Sequence, residues 1–274
     1  MLKICVIILL IIDFFNSFER GRFVLTVRID GIDVNYIQTG EGEAVVMLHG
    51  WGANAQLFGA IAEVVAQKYS VYALDFPGFG GTPEPPAVWT VDDYTDFTVH
   101  FIQTLGLKKV ILLGHSFGGR VIIKLANRTD LPFEIDKIIL TDAAGIKPVK
   151  SAAQEKKEKL SHIGKKLLKP LPGVVEKLQT MTGSADYRAA SPLMRQILVN
   201  VVNEDLTDLL PGVKPSTLLI WGDLDTATPL ADGQKMEQLM PDAGLAVMHG
   251  CTHFAFLDNP VLFANILRSF LNIA

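Results

Sequence analysis

The sequence has few cysteines, no excess of basic residues and no apolar run long enough to cross a membrane. Cys5 and Cys251 are the two cysteines in 274 residues, so neither a disulfide framework nor a structural zinc site is indicated. The 25 basic side chains are balanced by 29 acidic ones, and the net charge of −4 gives no electrostatic footprint for nucleic acid. With 49% hydrophobic residues, the chain is typical of a globular protein with a large core.

The N-terminus carries an apolar run from Ile4 to Ile12, which Asp13 interrupts. This run is too short to span a bilayer, which takes about 20 apolar residues. It resembles the apolar part of a signal peptide, but no small-x-small cleavage site follows it. A signal or a membrane anchor within residues 1–15, with a secreted or membrane-attached protein, is therefore one interpretation. An upstream extension on a cytoplasmic protein is the other, and we favour it.

Beyond this run, short apolar strands alternate with segments of helical periodicity. The predicted order is a hairpin over 24–37, a strand over 44–48, a helix over 57–67, a strand over 71–74, a helix over 91–105, strands over 110–113 and 137–141, a strand over 217–221, a helix over 232–240 and a strand over 245–248. This alternation predicts a mostly parallel sheet flanked by helices. In such sheets ligands bind beyond the carboxyl ends of the strands.

One stretch, from residue 146 to residue 215, has helical periodicity but no run typical of a strand. We therefore predict an α/β core over 24–145 and 216–274, and a helical lid over 146–215 that covers the carboxyl ends of the strands. Residues 1–23 form an apolar tail outside this core. Lysines are frequent in the first part of the lid, a composition that is usual for solvated helix faces.

A nucleophile is indicated by the segment Gly-His-Ser-Phe-Gly over residues 114–118, between an apolar strand and a helical pattern. A strand that ends in Gly-x-Ser-x-Gly and continues as a helix forces the serine into a sharp, strained turn. Gly114 and Gly118 are steric requirements of that turn, because larger residues do not fit there. The turn lifts the hydroxyl of Ser116 off the sheet, so Ser116 is the candidate nucleophile.

A serine hydroxyl is a poor nucleophile near neutral pH, so Ser116 needs a general base. His253 lies in the loop after the last predicted strand, and such a loop can reach back over the sheet edge to the serine. His249, at the end of that strand, is the alternative base. His115 lies inside the serine turn, points away from the serine side chain and is interpreted as a structural residue.

The base in turn needs a carboxylate that orients its ring. Asp225 follows the strand over 217–221, and it is the candidate acid. Asp223 in the same loop and Asp142 after the preceding strand are alternatives. A nucleophile, acid and histidine in the chain order Ser116, Asp225, His253 is the order that this architecture produces.

An oxyanion is expected to be bound by two main-chain N–H groups. The N–H of Phe117 lies at a helix N-terminus directly after the serine. The segment His-Gly-Trp-Gly over residues 49–52 follows a strand, and its glycines let the backbone turn and present the N–H of Trp51.

Together these segments resemble those of the α/β-hydrolase fold superfamily, in particular lid-bearing members such as microbial carboxylesterases and meta-cleavage-product hydrolases. The resemblance covers about residues 24–274 and is carried by residues 49–52, 75–80, 114–119, 222–225 and 253–254. It implies an α/β-hydrolase fold and a serine triad. Two residues depart from the usual pattern, Thr252 where members often have Gly and Thr82 where they often have Ser, and neither touches the chemistry.

The resemblance implies that Ser116 is the nucleophile, His253 the base and Asp225 its orienter. It also implies that the N–H groups of Trp51 and Phe117 form the oxyanion hole. A serine at position 116 argues against dehalogenases and epoxide hydrolases of this fold, which have Asp there.

Hydrolysis of an ester, a lactone, a thioester or a C–C bond remains open for such a triad. We favour a carboxylesterase that acts on small to medium acyl esters through an acyl-enzyme, with no metal and no organic cofactor. A non-catalytic ligand-binding protein of this fold is the alternative from another class. The expected lining of the apolar acyl pocket is Trp51, Phe117, Leu193, Met194 and Phe254.

Overall fold

Strands and helices alternate along the chain in the computed structural model, which describes residues 23–147 and 185–274. The strands are β1 (Phe23–Ile29), β2 (Ile32–Thr39), β3 (Ala44–Leu48), β4 (Ser70–Leu74), β5 (Lys109–His115), β6 (Glu134–Thr141), β7 (Ser216–Gly222) and β8 (Ala243–Met248). The helices are α1 (Gly59–Val65), α2 (Val91–Thr104), α3 (Phe117–Leu125), α4 (Ala185–Ala189), α5 (Pro192–Asn203), α6 (Leu230–Leu239), α7 (Ala255–Asp258) and α8 (Pro260–Leu271).

All eight strands join one sheet in the order β1-β2-β4-β3-β5-β6-β7-β8. Strands β3 to β8 are parallel to one another, while β2 pairs antiparallel with both β1 and β4. The predicted hairpin is present, and Asp30 and Gly31 turn it with φ angles of 48° and 82°. The prediction of an α/β-hydrolase fold with a mostly parallel sheet is confirmed.

The central strands of the sheet are buried on both faces, and neighbouring residues of such a strand enter different cores. In β3, Val46 and Leu48 belong to the core beneath α2 and α3, while Val45 and Met47 belong to the core beneath α1 and α8. Successive side chains of a strand point to opposite faces, so a strand covered on both sides is apolar at every position. Each fully buried aliphatic side chain contributes about 1.5–3 kcal/mol, which makes this double core the main stabilising element.

Some element boundaries differ from those predicted. The helix expected over 57–67 is divided into a 3-10 turn, Ala55–Phe58, and the short helix α1, because the Asn54 side chain accepts from the N–H of Gln56 and starts the turn earlier. Strand β6 begins at Glu134, since its first residues pair with the start of β5 across a register shift.

Two predicted segments lie largely outside the described residues. The apolar tail over 1–23 contributes only Phe23, which begins β1. Of the predicted lid over 146–215, residues 148–184, with most of its lysines, fall outside the description. The described remainder holds α4, α5 and a 3-10 turn, Thr207–Gly212. Among the described residues, no helix combines the length and apolar character needed to cross a bilayer.

Helix α5 is held to the core near both of its ends. The Met194 side chain is buried and fills the space that a side chain on Gly78 would take. Just beyond the other end, the carbonyl of Glu204 accepts a hydrogen bond of 2.7 Å from Nη1 of the buried Arg120 on α3. Helix α5 is therefore placed against the loop after β4 and against the helix that follows β5.

The packing of α3 on β3 depends on Gly118. A Cβ atom at this position would overlap the carbonyl oxygen of Leu48, a main-chain atom in the middle of the sheet. At Gly114 a Cβ atom would lie 2.6 Å from Cδ1 of Ile122 and 2.8 Å from the carbonyl carbon of Gly118. The steric reason for glycine at both predicted positions is thus present in the structure.

Replacing Gly118 by alanine is expected to destabilise the fold by about 3 kcal/mol or more, because the backbone of β3 cannot move aside. Gly244 on the exposed side of β8 is the matched control, since a Cβ atom there meets nothing within 4 Å. Its replacement by alanine should change the free energy of unfolding by less than about 1 kcal/mol. Urea unfolding of both variants checks this, and equal effects would contradict it.

Candidate active site

Ser116 is held in a strained backbone conformation between β5 and α3, with φ 48° and ψ −110°. A positive φ is costly for a residue other than glycine and persists only where neighbours fix it. The N–H of Ser116 donates to the carbonyl of Thr141 at 3.3 Å, and the Ser116 carbonyl accepts from the N–H groups of Gly119 and Ala144 at 3.0 and 2.9 Å. These three bonds fix the turn and leave the hydroxyl partly accessible.

His253 lies between Ser116 and Asp225. Its Nε2 is 3.0 Å from Oγ of Ser116, and its Nδ1 is 2.8 Å from Oδ2 of Asp225. The imidazole is 20% exposed, whereas the Asp225 side chain is fully buried. The structure therefore brings the three residues singled out in the sequence into one continuous chain of hydrogen bonds.

The Asp225 carboxylate is fixed by its own loop. Oδ1 accepts from the N–H groups of Ala227 and Thr228 at 2.7 and 3.0 Å, and Oδ2 accepts from Oγ1 of Thr228 at 2.7 Å. Burial by itself would raise the pKa of Asp225, but the hydrogen bonds from His253 and Thr228 hold it below its usual value. Asp225 is therefore an ionised acceptor that faces Nδ1 of His253.

Thr228 was not found by sequence reasoning, although its hydroxyl contacts both partners of this pair. Its Oγ1 is 2.7 Å from Oδ2 of Asp225 and 3.2 Å from Nδ1 of His253. An aspartate followed three residues later by threonine is typical of a turn in which the carboxylate accepts from main-chain N–H groups. That spacing, directly before Pro229, was the available signal.

The alternative base and one alternative acid lie elsewhere and bind each other. Nδ1 of His249 is 2.9 Å from Oδ2 of Asp223, and the imidazole of His249 is 86% exposed. The Asp223 carboxylate also accepts from the N–H of Gly250 at 2.7 Å. This pair closes a surface turn after β8, so the structure does not bring it to Ser116.

Asp142, the other alternative acid, is fully buried at the end of β6 with φ 45°. Its Oδ1 accepts from the N–H of Gly222 at 2.9 Å, and its Oδ2 accepts from the N–H of Ala255 at 3.2 Å and from Oγ1 of Thr141 at 3.1 Å. Burial raises the pKa of Asp142 to about 6, and the negative charge of Asp225 adds to the rise, while the main-chain hydrogen bonds oppose it.

His115 is buried behind the ring of His253, with the two ring centroids 4.9 Å apart. Its Nε2 lies 2.8 Å from the carbonyl oxygen of His253, so Nε2 carries the proton and donates to that oxygen. Burial, followed by the charge of His253, lowers the pKa of His115 to about 3, and the ring is neutral. The structural role interpreted from the sequence fits this contact, which holds the backbone of the histidine loop.

The main-chain N–H group of Phe117 lies at the start of α3, directly after Ser116, and that of Trp51 belongs to the loop after β3. A Cβ atom on Gly50 would lie 3.1 Å from Cβ of Ser116, which shows how closely the loop over 49–52 approaches it. Within the described ranges, neither N–H donates to another main-chain or side-chain group. Both remain free to bind an oxyanion.

His49 fixes the loop that carries Trp51. Its Nε2 accepts from the N–H of Phe76 at 3.0 Å, so its Nδ1 carries the proton and donates to the carbonyl of Gly50 at 2.7 Å. Complete burial lowers the pKa of His49 to about 4, and the ring stays neutral. The loop after β3 is thus tied to the end of β4.

Aromatic rings lie next to Trp51 and His253. The ring of Trp51 lies 4.9 Å from that of Phe79 and 5.8 Å from that of Phe117, both edge to face. Phe254, 38% exposed, lies 5.4 Å from the ring of His253. Phe79 was not predicted as a site residue, although it belongs to the segment 75–80 that carries the family resemblance.

The two predicted residues of α5 differ in burial. Met194 is buried against Gly78, as described above, and Leu193 is half-buried against the core beneath α2 and α3. Among residues 23–147 and 185–274, no group of three or more His, Cys, Asp or Glu side chains is arranged to hold a metal ion.

The raised pKa of Asp142 predicts a pH-dependent stability difference between the wild type and Asp142→Asn. The folded state binds the proton of the Asp142 carboxyl more tightly than the unfolded chain does. The stabilisation that this proton supplies is therefore fully present below pH 3.8 and is lost as the pH rises through about 6. The stability of the wild type relative to the variant should therefore fall by about 2 kcal/mol between pH 4 and pH 7. Urea unfolding across this range measures it, and a constant difference would contradict it.

Two relatives with named functions cover most of the chain. The pimeloyl-acyl-carrier-protein methyl ester esterase of Nitrosospira multiformis is 27% identical over 256 residues, which cover 85% of this chain and 97% of that protein. The 2-hydroxy-6-oxo-6-(2'-aminophenyl)hexa-2,4-dienoic acid hydrolase of Metapseudomonas resinovorans is 25% identical over 264 residues, which cover 90% of each chain.

A solved structure and a family model give the same assignment. An esterase from Exiguobacterium antarcticum matches with a TM-score of 0.73 and 25% identity, covering 91% of this chain and all of that chain. The model of the alpha/beta hydrolase family matches residues 45–266, which include every strand from β4 to β8 and all the site residues described above. The chain therefore belongs to the alpha/beta hydrolase family.

Proposed function

We propose that this hydrolase cleaves small to medium carboxylic esters through an acyl-enzyme on Ser116. The observation that carries the proposal is the continuous hydrogen-bonded chain from Ser116 through His253 to Asp225, with contacts of 3.0 and 2.8 Å. A hydroxyl at hydrogen-bond distance from an imidazole, which is itself held by a buried carboxylate, is the arrangement that activates serine as a nucleophile.

In the acylation step, Oγ of Ser116 attacks the ester carbonyl carbon while Nε2 of His253 takes the hydroxyl proton. The imidazolium that forms is stabilised by Asp225, whose pKa below its usual value keeps it ionised. The carbonyl oxygen becomes an oxyanion, which the N–H groups of Trp51 and Phe117 bind. The C–O bond then breaks, and the proton on Nε2 passes to the departing alcohol.

In the deacylation step, a water molecule replaces the alcohol. His253 takes a proton from this water, and the hydroxide attacks the acyl carbon on Ser116. The second tetrahedral intermediate collapses to the free acid, and the proton returns to Oγ. Neither step requires a metal ion or an organic cofactor.

An apolar acyl group is supported by the side chains near the serine. Trp51 has a half-buried ring on the loop that approaches Ser116, and the exposed ring of Phe254 lies next to His253. The Phe117 ring, expected to line the pocket, is instead buried against Phe76 and Tyr94, so Phe117 would contribute only its N–H. Leu193 at the start of α5 is half-buried, and with Met194 it would line the far end of the pocket. The relative from Nitrosospira multiformis is named a methyl ester esterase, which favours an ester over other bonds.

Hydrolysis of a C–C bond in a vinylogous diketone is the second candidate. It is favoured by the relative from Metapseudomonas resinovorans, which is named as a hydrolase of a dienoic acid. Comparing p-nitrophenyl esters of increasing acyl length with a dienol diketone would separate the two. Turnover of the diketone at a kcat/KM above that of every ester would favour the second candidate.

Ser116→Ala should lower kcat on p-nitrophenyl esters by about 10⁴-fold or more, because no other group can form the acyl-enzyme. Asp225→Asn should lower it by up to about 10⁴-fold, since the amide would hold His253 in the wrong tautomer. His249→Ala is the matched control, because His249 is exposed and binds Asp223 away from the serine. A folded Ser116→Ala protein with most of its kcat, or a His249→Ala protein without it, would contradict the assignment.

Leu193→Ala should shift the preferred acyl length towards longer esters, because it removes three carbon atoms from the proposed end of the pocket. The expected change is on the order of 10-fold in the ratio of kcat/KM between long and short p-nitrophenyl esters. Val199→Ala is the matched control on the same helix, since Val199 is 47% exposed. If this ratio is the same for both variants and the wild type, α5 does not line the acyl pocket.

A further inference from the structure

Asp142 connects the two loops that carry the partners of Ser116. Its Oδ1 accepts from the N–H of Gly222, the last residue of β7 and three positions before Asp225. Its Oδ2 accepts from the N–H of Ala255, two positions after His253. One carboxylate therefore bonds to the start of the acid loop and to the end of the histidine loop.

The backbone of Asp142 reaches the same region. Its carbonyl oxygen lies 3.0 Å from Oγ1 of Thr228, the hydroxyl that also contacts Asp225 and His253. Its N–H donates to the carbonyl of Ile220 in β7 at 3.0 Å. The main chain and the side chain of Asp142 thus fix the loop of Asp225 from two directions.

Burial and a positive φ both make this position energetically unfavourable for an aspartate. Asp142 is fully buried, has a positive φ and carries a pKa raised to about 6 by burial. An asparagine would tolerate this backbone equally well and would bury no charge. It has only one acceptor oxygen, however, and its NH₂ group would face one of the two main-chain N–H groups.

We propose that Asp142 is a positioning residue that sets the separation of the Asp225 loop and the His253 loop, and with it the alignment of His253 on Ser116. This inference rests on the proposed function, because the alignment matters only if these residues act as a triad. Asp142 itself touches neither Ser116 nor the imidazole through its carboxylate. It acts through the main chain at Gly222 and Ala255.

Asp75 provides a matched control for a purely structural role. It too is buried at the end of a strand, and its two oxygens accept from two main-chain N–H groups, those of Ala55 at 2.7 Å and Gly81 at 2.8 Å. The loops that it joins hold neither Asp225 nor His253. Removing one acceptor from Asp75 costs the fold a similar hydrogen bond without disturbing the link between the two loops.

The test compares Asp142→Asn with Asp75→Asn by kinetics on p-nitrophenyl butyrate and by the downfield proton resonance of Nδ1–H of His253. We expect Asp142→Asn to lower kcat by about 10- to 100-fold with KM within about twofold, because small misalignments of reacting groups cost rates of this size. The downfield resonance should shift or broaden in Asp142→Asn and stay unchanged in Asp75→Asn. A resonance that stays unchanged in Asp142→Asn, with kcat no lower than in Asp75→Asn, would overturn the proposal.

If Asp142→Asn does not fold, Ala255→Pro gives the same decision. Proline lacks the N–H that donates to Oδ2 of Asp142, and its ring is tolerated because residue 255 is the first residue of α7. A lower kcat with unchanged KM and a shifted resonance would support the positioning role, and wild-type values for both would overturn it.

Failure of the proposed function is recognised separately. If the wild type turns over neither esters nor the dienol diketone and a fluorophosphonate does not label Ser116, the proposed function itself is wrong. The positioning proposal fails alone when the wild type is active, Ser116→Ala is inactive and Asp142→Asn matches Asp75→Asn.

Discussion

Close packing between β3 and α3 is the constraint on which the rest of the site depends, because it forces the chain to turn at Ser116. Helix α3 crosses the main chain of Leu48 so closely that residue 118 has no space for a side chain. Between β5 and α3, Ser116 takes a backbone angle φ of 48°, which is energetically costly for serine. The same turn exposes the hydroxyl and leaves the N–H of Phe117 at a helix N-terminus.

The parallel sheet then brings the other polar groups to this turn. Strands β3 to β8 run in one direction, so their carboxyl ends share one edge. His49 follows β3, Asp142 follows β6, Asp225 follows β7, and His253 follows β8. Burial keeps His49 and Asp142 in fixed hydrogen bonds, while His253 stays partly exposed and able to exchange protons. The proposed base is thus more exposed than the buried groups that hold the loops around it.

The fold and the cluster of Ser116, Asp225 and His253 could be predicted because local patterns mark them. Continuous apolar runs marked strands covered on both faces, and each candidate residue followed such a run. The roles of Asp142 and Thr228 could not be predicted, since Asp142 bonds to residues 80 and 113 positions away and its link to Thr228 spans 86 positions. The early start of the turn at Ala55 was missed because it depends on the Asn54 side chain rather than on apolar periodicity. A sequence pattern shows which residue follows a strand, but not which distant N–H that residue binds.

Ser116 is the group that the proposed mechanism modifies covalently during turnover. Treatment with a fluorophosphonate, followed by digestion and mass spectrometry, tests it directly. We predict one phosphonyl group per chain, on the peptide that contains Ser116, with ester turnover lost in proportion to labelling. Labelling on a different residue, or full ester turnover by protein labelled on Ser116, would contradict the account.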